Sequence, residues 1–251
     1  MINKHKIEWT EMTWNPTAGC TKISAGCKNC YAEVMAIRLQ AIGVVGYENG
    51  FQFSIVPHRL NEPLKRKKPT VYFVNSMSDL FHKDMPEDYL NKIFEVIRQT
   101  PQHTYQILTK RADKMSMYFS NHKIPKNVWL GVTVENKKEG LPRIDQLRQL
   151  KATVLFLSIE PLLENLGKIN LKNINWVIVG GESGNKARAM KEEWVLNIKK
   201  QCENNNIAFF FKQWGTWGSD KIKRSKKLNG KKLNGKIWQE YPEVIEKQFA
   251  I

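Results

Sequence analysis

Residues 70–111 read TVYFVNSMSDLFHKDMPEDYLNKIFEVIRQTPQHTYQILTKR, and the change of hydrophobic period inside this stretch decides the fold. Thr70 to Asn75 is a run of β-branched and aromatic residues of strand length, and Thr104 to Leu108 is a second. Between them Asp84 is placed to cap a helix with Pro86 and Glu87 in its first turn. Tyr89, Leu90, Ile93, Phe94 and Ile97 then fall on one helical face. A strand, a crossover helix and a strand in this order predict a parallel pair.

The alternation continues outward. Further strands are expected at Val128 to Val132, Thr153 to Leu157, Asn175 to Val179 and Ile207 to Phe211, with a weaker one at Met12 to Pro16. Trp194, Val195, Ile198 and Cys202 mark a helix before the last strand, and Leu141, Ile144 and Leu147 mark a weaker one before the Thr153 strand. Pro161 to Lys172 has room only for a short helix or a loop. A closed barrel would need eight strand–helix units in about this length, and 251 residues here yield six or seven strands. The expected fold is therefore α/β, an incomplete (β/α) TIM-like barrel of six to seven parallel strands over residues 1–215. Residues 216–251 are expected to form a basic hairpin extension packed on the same domain.

Ordinary apolar and charged fractions, 41% and 25%, exclude a disordered or fibrous chain. No apolar run approaches the roughly 20 residues of a membrane-spanning helix, so no membrane association is expected. Met1 to Trp9 lacks the apolar centre of a signal peptide, which makes the cytoplasm the default location. The net charge is +16, and half of it lies between Lys221 and Lys236, which hold eight basic residues and no acid. A nucleic acid, or a protein with an acidic face, is the partner this segment suggests. Within it Lys226 to Gly230 and Lys231 to Gly235 both read Lys-Lys-Leu-Asn-Gly, and the Asn-Gly steps predict a tight-turned hairpin.

Six strands end in polar clusters, among them Ser76 to Asp79, Thr109 to Arg111, Glu135, Glu160, Gly180 to Glu182 and Lys212. In parallel α/β folds the carboxyl ends of strands carry the active site. Near the start of the chain stand Cys20, Cys27 and Cys30, spaced Cys-x6-Cys-x2-Cys, with Cys202 far away on a predicted core-facing helix. Three cysteines this close, in a chain large enough to fold without disulfides, point to a metal or a cluster. Structural zinc wants four protein ligands and no fourth lies nearby, which ranks zinc second. A [4Fe-4S] cluster takes thiolates, and with only three supplied one iron keeps an open position.

Thr13-Trp14-Asn15-Pro16, the three cysteines with Tyr31-Ala32-Glu33, and Asn75-Ser76-Met77-Ser78-Asp79 together resemble a phage-associated three-cysteine family that is similar to radical S-adenosylmethionine (SAM) enzymes. Leu130 to Asn136, Ser158 to Leu163, Gly180 to Gly184 and Phe211 to Gly215 extend the resemblance over nearly the whole chain. It implies a [4Fe-4S] cluster on Cys20, Cys27 and Cys30, SAM on the open iron, an electron donor as partner, and a 5′-deoxyadenosyl radical acting on an unidentified substrate. Two departures stand out. Radical SAM enzymes usually have three residues between their first two cysteines, and their Gly-Gly-Glu after the second strand has no literal counterpart here, where Ser76 and Asp79 occupy that region.

On this reading Ser76 and Asp79 accept from the ammonium of SAM, Glu135 accepts from ribose, the Gly180–Gly181 backbone approaches adenine, and Tyr31 and Glu182 complete the cofactor-binding set. Lys110, Glu160 and Lys212 are the candidate catalytic residues. The competing expectation is a non-catalytic nucleic-acid-binding protein stabilised by zinc or an Fe-S cluster, with Trp214, Trp217 and Trp238 as stacking platforms. Acids at Asp79, Glu135, Glu160 and Glu182 would repel a polyanion, which favours the enzyme.

Overall fold

The structure is a computed structural model and describes residues 7–243. The first six residues of the N-terminal stretch and residues 244–251 of the expected extension lie outside the described residues. The chain divides into two compact units, the first comprising Met1–Lys22, Cys30–Leu130 and Lys151–Thr153, the second Ile23–Asn29, Gly131–Leu150 and Val154–Ile251.

The first unit holds strands β1 (Met12–Trp14), β2 (Thr17–Ala18), β3 (Ser54–Ile55), β4 (Val71–Val74) and β5 (Thr104–Thr109), with helices α1 (Tyr31–Ala41), α2 (Glu87–Gln99) and α3 (Ala112–Asn121). β1 pairs in parallel with β4, Met12 opposite Tyr72, and β4 with β5, Val71 opposite Thr104. The expected stripe of α2 faces inward, with Tyr89, Leu90, Ile93, Phe94, Val96 and Ile97 all buried. Each such side chain contributes on the order of 1.5–3 kcal/mol, so packing rather than helix propensity holds α2 in place. The Tyr89 hydroxyl donates to the Pro16 carbonyl at 3.0 Å, fixing the helix to the turn after β1.

β6 (Val128–Thr133) runs across the boundary between the units. The second unit continues with α4 (Lys137–Leu147), β7 (Val154–Ile159), β8 (Trp176–Gly180), α5 (Glu192–Asn204), β9 (Ala208–Gln213), α6 (Lys226–Asn229), β10 (Lys232–Leu233) and β11 (Lys236–Ile237). β7, β8 and β9 are parallel neighbours, and a bulge at Val179/Gly180 lets β9 slip against β8. Every residue of β7 and β8 is buried, as in strands covered on both faces. The main sheet has seven strands in the order β1-β4-β5-β6-β7-β8-β9, and the fold is the α/β incomplete barrel of parallel strands that the alternation predicted. Residues 160–175 form no helix, in keeping with the gap in the alternation. No described helix is long and apolar enough to cross a membrane.

Three local expectations need correction. Asp84 does not cap α2; Pro86 takes the N-cap position in extended conformation, and the Asp84 carboxylate pairs with Lys83 at 2.9 Å. A residue preceding proline is pushed out of the helical region, so Met85 cannot be the first helical residue behind an Asp84 cap. Helix α1 is not evident from the sequence, because its inward stripe of Ala32, Met35, Ala36 and Leu39 is masked by Val34 and Ile37, which face solvent. The twin Lys-Lys-Leu-Asn-Gly repeats also diverge. The first is the single turn α6, capped by the Ser225 hydroxyl, and only the second makes the hairpin β10–β11. Its turn residues Asn234 and Gly235 have φ of 48° and 74°, as a two-residue hairpin turn requires. The extension is tied to the second unit by Trp214 Nε1 donating to the Lys232 carbonyl at 2.8 Å and by Phe211 N donating to the Trp238 carbonyl at 2.8 Å.

Candidate functional site

In the first unit the residues after β4 and β5 gather around Cys20. Asp79 is buried, and its carboxylate accepts four hydrogen bonds. They come from Phe81 N at 3.0 Å and Thr109 Oγ1 at 2.7 Å on one oxygen, and from Lys110 N at 3.1 Å and Arg111 Nη1 at 2.9 Å on the other. A carboxylate has about four lone-pair positions, so this arrangement leaves none for the SAM ammonium that Asp79 was expected to receive. Arg111 instead reaches the cysteine loop, with Nη1 3.6 Å from Cys20 Sγ and Nη2 donating to the Thr21 carbonyl and hydroxyl, both at 3.0 Å. Burial opposes the charge of Arg111, but Asp79 and then Cys20 outweigh it and raise its pKa above the ordinary arginine value.

His82 completes this cluster. Its Nδ1 accepts from Asp84 N at 3.2 Å, which leaves Nε2 to carry the proton and donate to Thr21 Oγ1 at 2.8 Å. The ring is stacked on Phe53 with centroids 4.3 Å apart. Burial, then Arg111, lowers its pKa, consistent with a neutral imidazole. Ser76 donates to Asn15 Oδ1 at 3.1 Å, and its carbonyl accepts from the hydroxyl of Tyr31 at 2.5 Å. Tyr31 opens α1 directly after Cys30, which takes the N-cap position. Beside Ser76, Asn75 is buried with φ 60°, and neither its amide oxygen nor its amide nitrogen has a hydrogen-bond partner among the described residues.

In the second unit the segment Ile23–Asn29 rests on two strand-end carboxylates. Glu135 is wholly buried; it accepts from Arg143 Nη1 at 2.6 Å and from the hydroxyl of Ser24, and that hydroxyl lies 3.6 Å from Cys27 Sγ. A Cβ added to Gly26 would stand 3.1 Å from Glu135 Oε1, so glycine lets the loop sit directly on the carboxylate. Glu182 is held by Arg188 through Nη2 at 2.6 Å, Nε at 2.9 Å and the backbone N at 2.8 Å, and by Asn29 Nδ2 at 3.1 Å. Burial works to raise the Glu182 pKa, but the Arg188 and Asn29 hydrogen bonds lower it below the usual glutamate value. Arg188 Nη2 also donates to the Ala25 carbonyl at 3.0 Å.

Glu160 after β7 pairs with Lys212 at the end of β9 at 2.9 Å and accepts from Gln213 Nε2 at 3.2 Å. This neutralises Lys212, whereas the Lys110 ammonium has no acidic partner among the described residues. The space a side chain would need at Gly181 is filled by the Trp214 carbonyl, 1.9 Å from an added Cβ, and that at Gly180 by the Glu160 side chain at 3.1 Å. Of the two glycines expected to face adenine, Gly181 is thus already required by packing within the unit, whereas Gly180 meets only a side chain.

Cys20, Cys27 and Cys30 are half-exposed and form no disulfide, while Cys202 is buried. Among the described residues no three His, Cys, Asp or Glu side chains are placed together as ligands of a single metal ion. Trp214 is only 2% exposed and is no stacking platform; Trp238 carries the Lys199 ammonium 3.7 Å from its ring centre. Sequence reasoning missed the partners Arg143, Arg188, Ser24, Asn29 and His82. Arg143 lies in the middle of α4 and Arg188 in a loop, and nothing in spacing separates such arginines from solvated ones.

Comparison with solved structures finds a doubly substituted spore photoproduct lyase with AdoMet and a dinucleoside spore photoproduct bound, at TM-score 0.40 and 11% identity, covering 67% of this chain and 55% of that one. A spore photoproduct lyase complexed with dinucleoside spore photoproduct gives 0.39 and 8%, covering 74% and 59%. The chain thus spans little more than half the length of those proteins. No curated protein matches the sequence. One family profile does match, over residues 4–242, and by it the chain belongs to the family of proteins of unknown function DUF5131.

Proposed function

We propose that the chain is a radical SAM-type enzyme, with a [4Fe-4S] cluster on Cys20, Cys27 and Cys30 and SAM on the iron these thiolates leave open. The observation that carries the reading is the cysteine loop itself. Its three thiols are half-exposed, and the loop is anchored by buried charged side chains at strand ends: Arg111 with Asp79 in the first unit, Glu135 and Glu182 in the second. The donor set suits iron and lacks the fourth ligand of a structural zinc site. The resemblance to the phage-associated three-cysteine family belongs to the same reading.

The cofactor side fits as well. An unpartnered buried amide costs about 1–3 kcal/mol, and the Asn75 amide offers both a donor and an acceptor beside Ser76, which suits the ammonium and carboxylate of an amino acid. Lys110, without an acidic partner among the described residues, is the cation available to a carboxylate. Tyr31 holds the Ser76 carbonyl and so positions this turn. Glu160 and Lys212 form a paired acid and base for the substrate side. When bound, SAM and the cluster supply a one-electron reductive cleavage to methionine and a 5′-deoxyadenosyl radical, with the electron from a separate donor. Asp79 and Glu135 act on the loop through Arg111 and Ser24.

Anaerobically prepared protein should hold about four irons with matching sulfide per chain, and its reduced electron paramagnetic resonance spectrum should change on adding SAM. Cys27→Ala should lose the iron and Cys202→Ala should keep it. Stoichiometric zinc without iron would reject the reading in favour of a metal-stabilised binding protein.

A further inference from the structure

We infer that the cleft between the Ser183–Asn185 turn and residues 223–226 is a binding site for the phosphodiester backbone of a single-stranded nucleic acid. The cleft has a volume of about 440 Å³ and lies wholly in the second unit, directly after the end of β8. Its charged lining is Lys223, Arg224 and Lys226, its hydroxyl lining is Ser183, Thr216 and Ser225, and no carboxylate of the described residues lines it. Such a combination of cations and short donors suits phosphate oxygens and offers little to an apolar or cationic ligand.

The cations are set in place before any ligand arrives. Lys223 Nζ donates to the Asn185 carbonyl at 2.7 Å, which fastens one wall to the other. Asp220 grips Arg224 at 2.7 and 3.0 Å from outside the lining, orienting the guanidinium and offsetting part of its charge. Lys226 has no acidic partner among the described residues. Gly184, which lines the cleft, has φ 116° and open space where a Cβ would stand.

A polymer fits better than a lone anion because the positive charge does not stop at the cleft. Exposed Lys227, Lys232 and Lys236 continue from it along α6 and the hairpin with no acid in the segment. A row of cations at successive backbone steps matches a row of phosphates. That this nucleic acid is also the substrate rests on the function proposed above. That it binds does not.

The test measures binding of a short fluorescein-labelled single-stranded oligodeoxynucleotide to the full chain by anisotropy across a salt series. Lys223→Gln with Lys226→Gln should weaken binding roughly ten-fold and lower the log-log salt slope by about 1.4, from about 0.7 per lost phosphate contact. Lys226→Gln alone, which breaks no hydrogen bond of the fold, should give about half that change in slope. Lys67→Gln with Lys68→Gln removes the same charge from an exposed stretch elsewhere and should leave binding unchanged. Equal weakening in both pairs would reduce the effect to net charge and overturn the site. So would no binding by the unmodified protein, stronger binding to duplex, or displacement of the oligonucleotide by inorganic phosphate at equal phosphate concentration. Cys27→Ala should bind the oligonucleotide normally, so failure of the cluster reading, seen in iron content, is separable from failure of this one.

Discussion

Arg111 Nη1 stands 2.9 Å from Asp79 Oδ2 and 3.6 Å from Cys20 Sγ, so one guanidinium joins a strand-end carboxylate to a cysteine of the loop. Both partners of the ion pair are more than nine-tenths buried. Charges in such a place are kept by each other: removing one leaves the other desolvated and unpaired, at a cost of about 3–5 kcal/mol.

The first prediction follows from that cost. Asp79→Ala should lower the melting temperature of the metal-free protein by roughly 6–20 °C, at about 2–4 °C per kcal/mol in a chain of this size. Arg111→Met combined with Asp79→Leu, which removes both charges, should recover part of the loss. Thermal unfolding followed by circular dichroism reads both. An Asp79→Ala protein as stable as the unmodified one would mean that the pair does not anchor the loop.

Thiol chemistry separates the four cysteines. Cys202 is fully buried on α5, and burial, then Glu240 and Glu203, pushes its thiol up to about 12. Since the thiolate is the reactive form, three thiols should react with Ellman's reagent in the folded, metal-free protein, and the fourth only after denaturation. Cys202→Ala should leave the native count at three. Four rapidly reacting thiols in the folded chain would contradict the burial.

How far the sequence could be read depended on periodicity. α2 was legible because its apolar residues recur on one face, and β7 and β8 because they are continuous apolar runs. α1 was invisible because Val34 and Ile37 on its exposed face blur the inward stripe of Ala32, Met35, Ala36 and Leu39. The strand-end acids were found as positions, but their partners were not: Asp79 and Arg111 are 32 residues apart and Ser24 and Glu135 are 111 apart, and single-sequence spacing has no access to such pairs. The twin repeats of the basic segment show the opposite limit. Identical pentapeptides became a helical turn and a hairpin because Ser225 caps only the first.

Acid should act on the second unit through Glu182. Its pKa is lower folded than the ordinary value of 4.5, so its contribution to stability is present above that value and is lost as pH falls through the lower folded value. Glu182→Gln should therefore be less stable than the unmodified chain at pH 7, and the difference should shrink below about pH 4.5. Urea unfolding at a series of pH values measures it. A gap that persists undiminished into strong acid would assign the loss to packing instead of to the Arg188 pair.

Gly181 offers a test of what the strand-end glycines are for. An added Cβ would lie 1.9 Å from the Trp214 carbonyl oxygen and 2.7 Å from its carbon. Because the obstacle is backbone, no rotamer change relieves it, and the turn after β9 has to move. Gly184 differs: an added Cβ meets nothing within 4 Å, and the strain comes only from its φ of 116°. Gly181→Ala should thus destabilise by about 3 kcal/mol or more, as overpacking does where neighbours cannot yield, and Gly184→Ala by about 1–2 kcal/mol. Both are measured by urea unfolding without SAM. If Gly181 served only to admit adenine, Gly181→Ala would unfold like the unmodified chain and differ only in SAM affinity, and the packing account would fail.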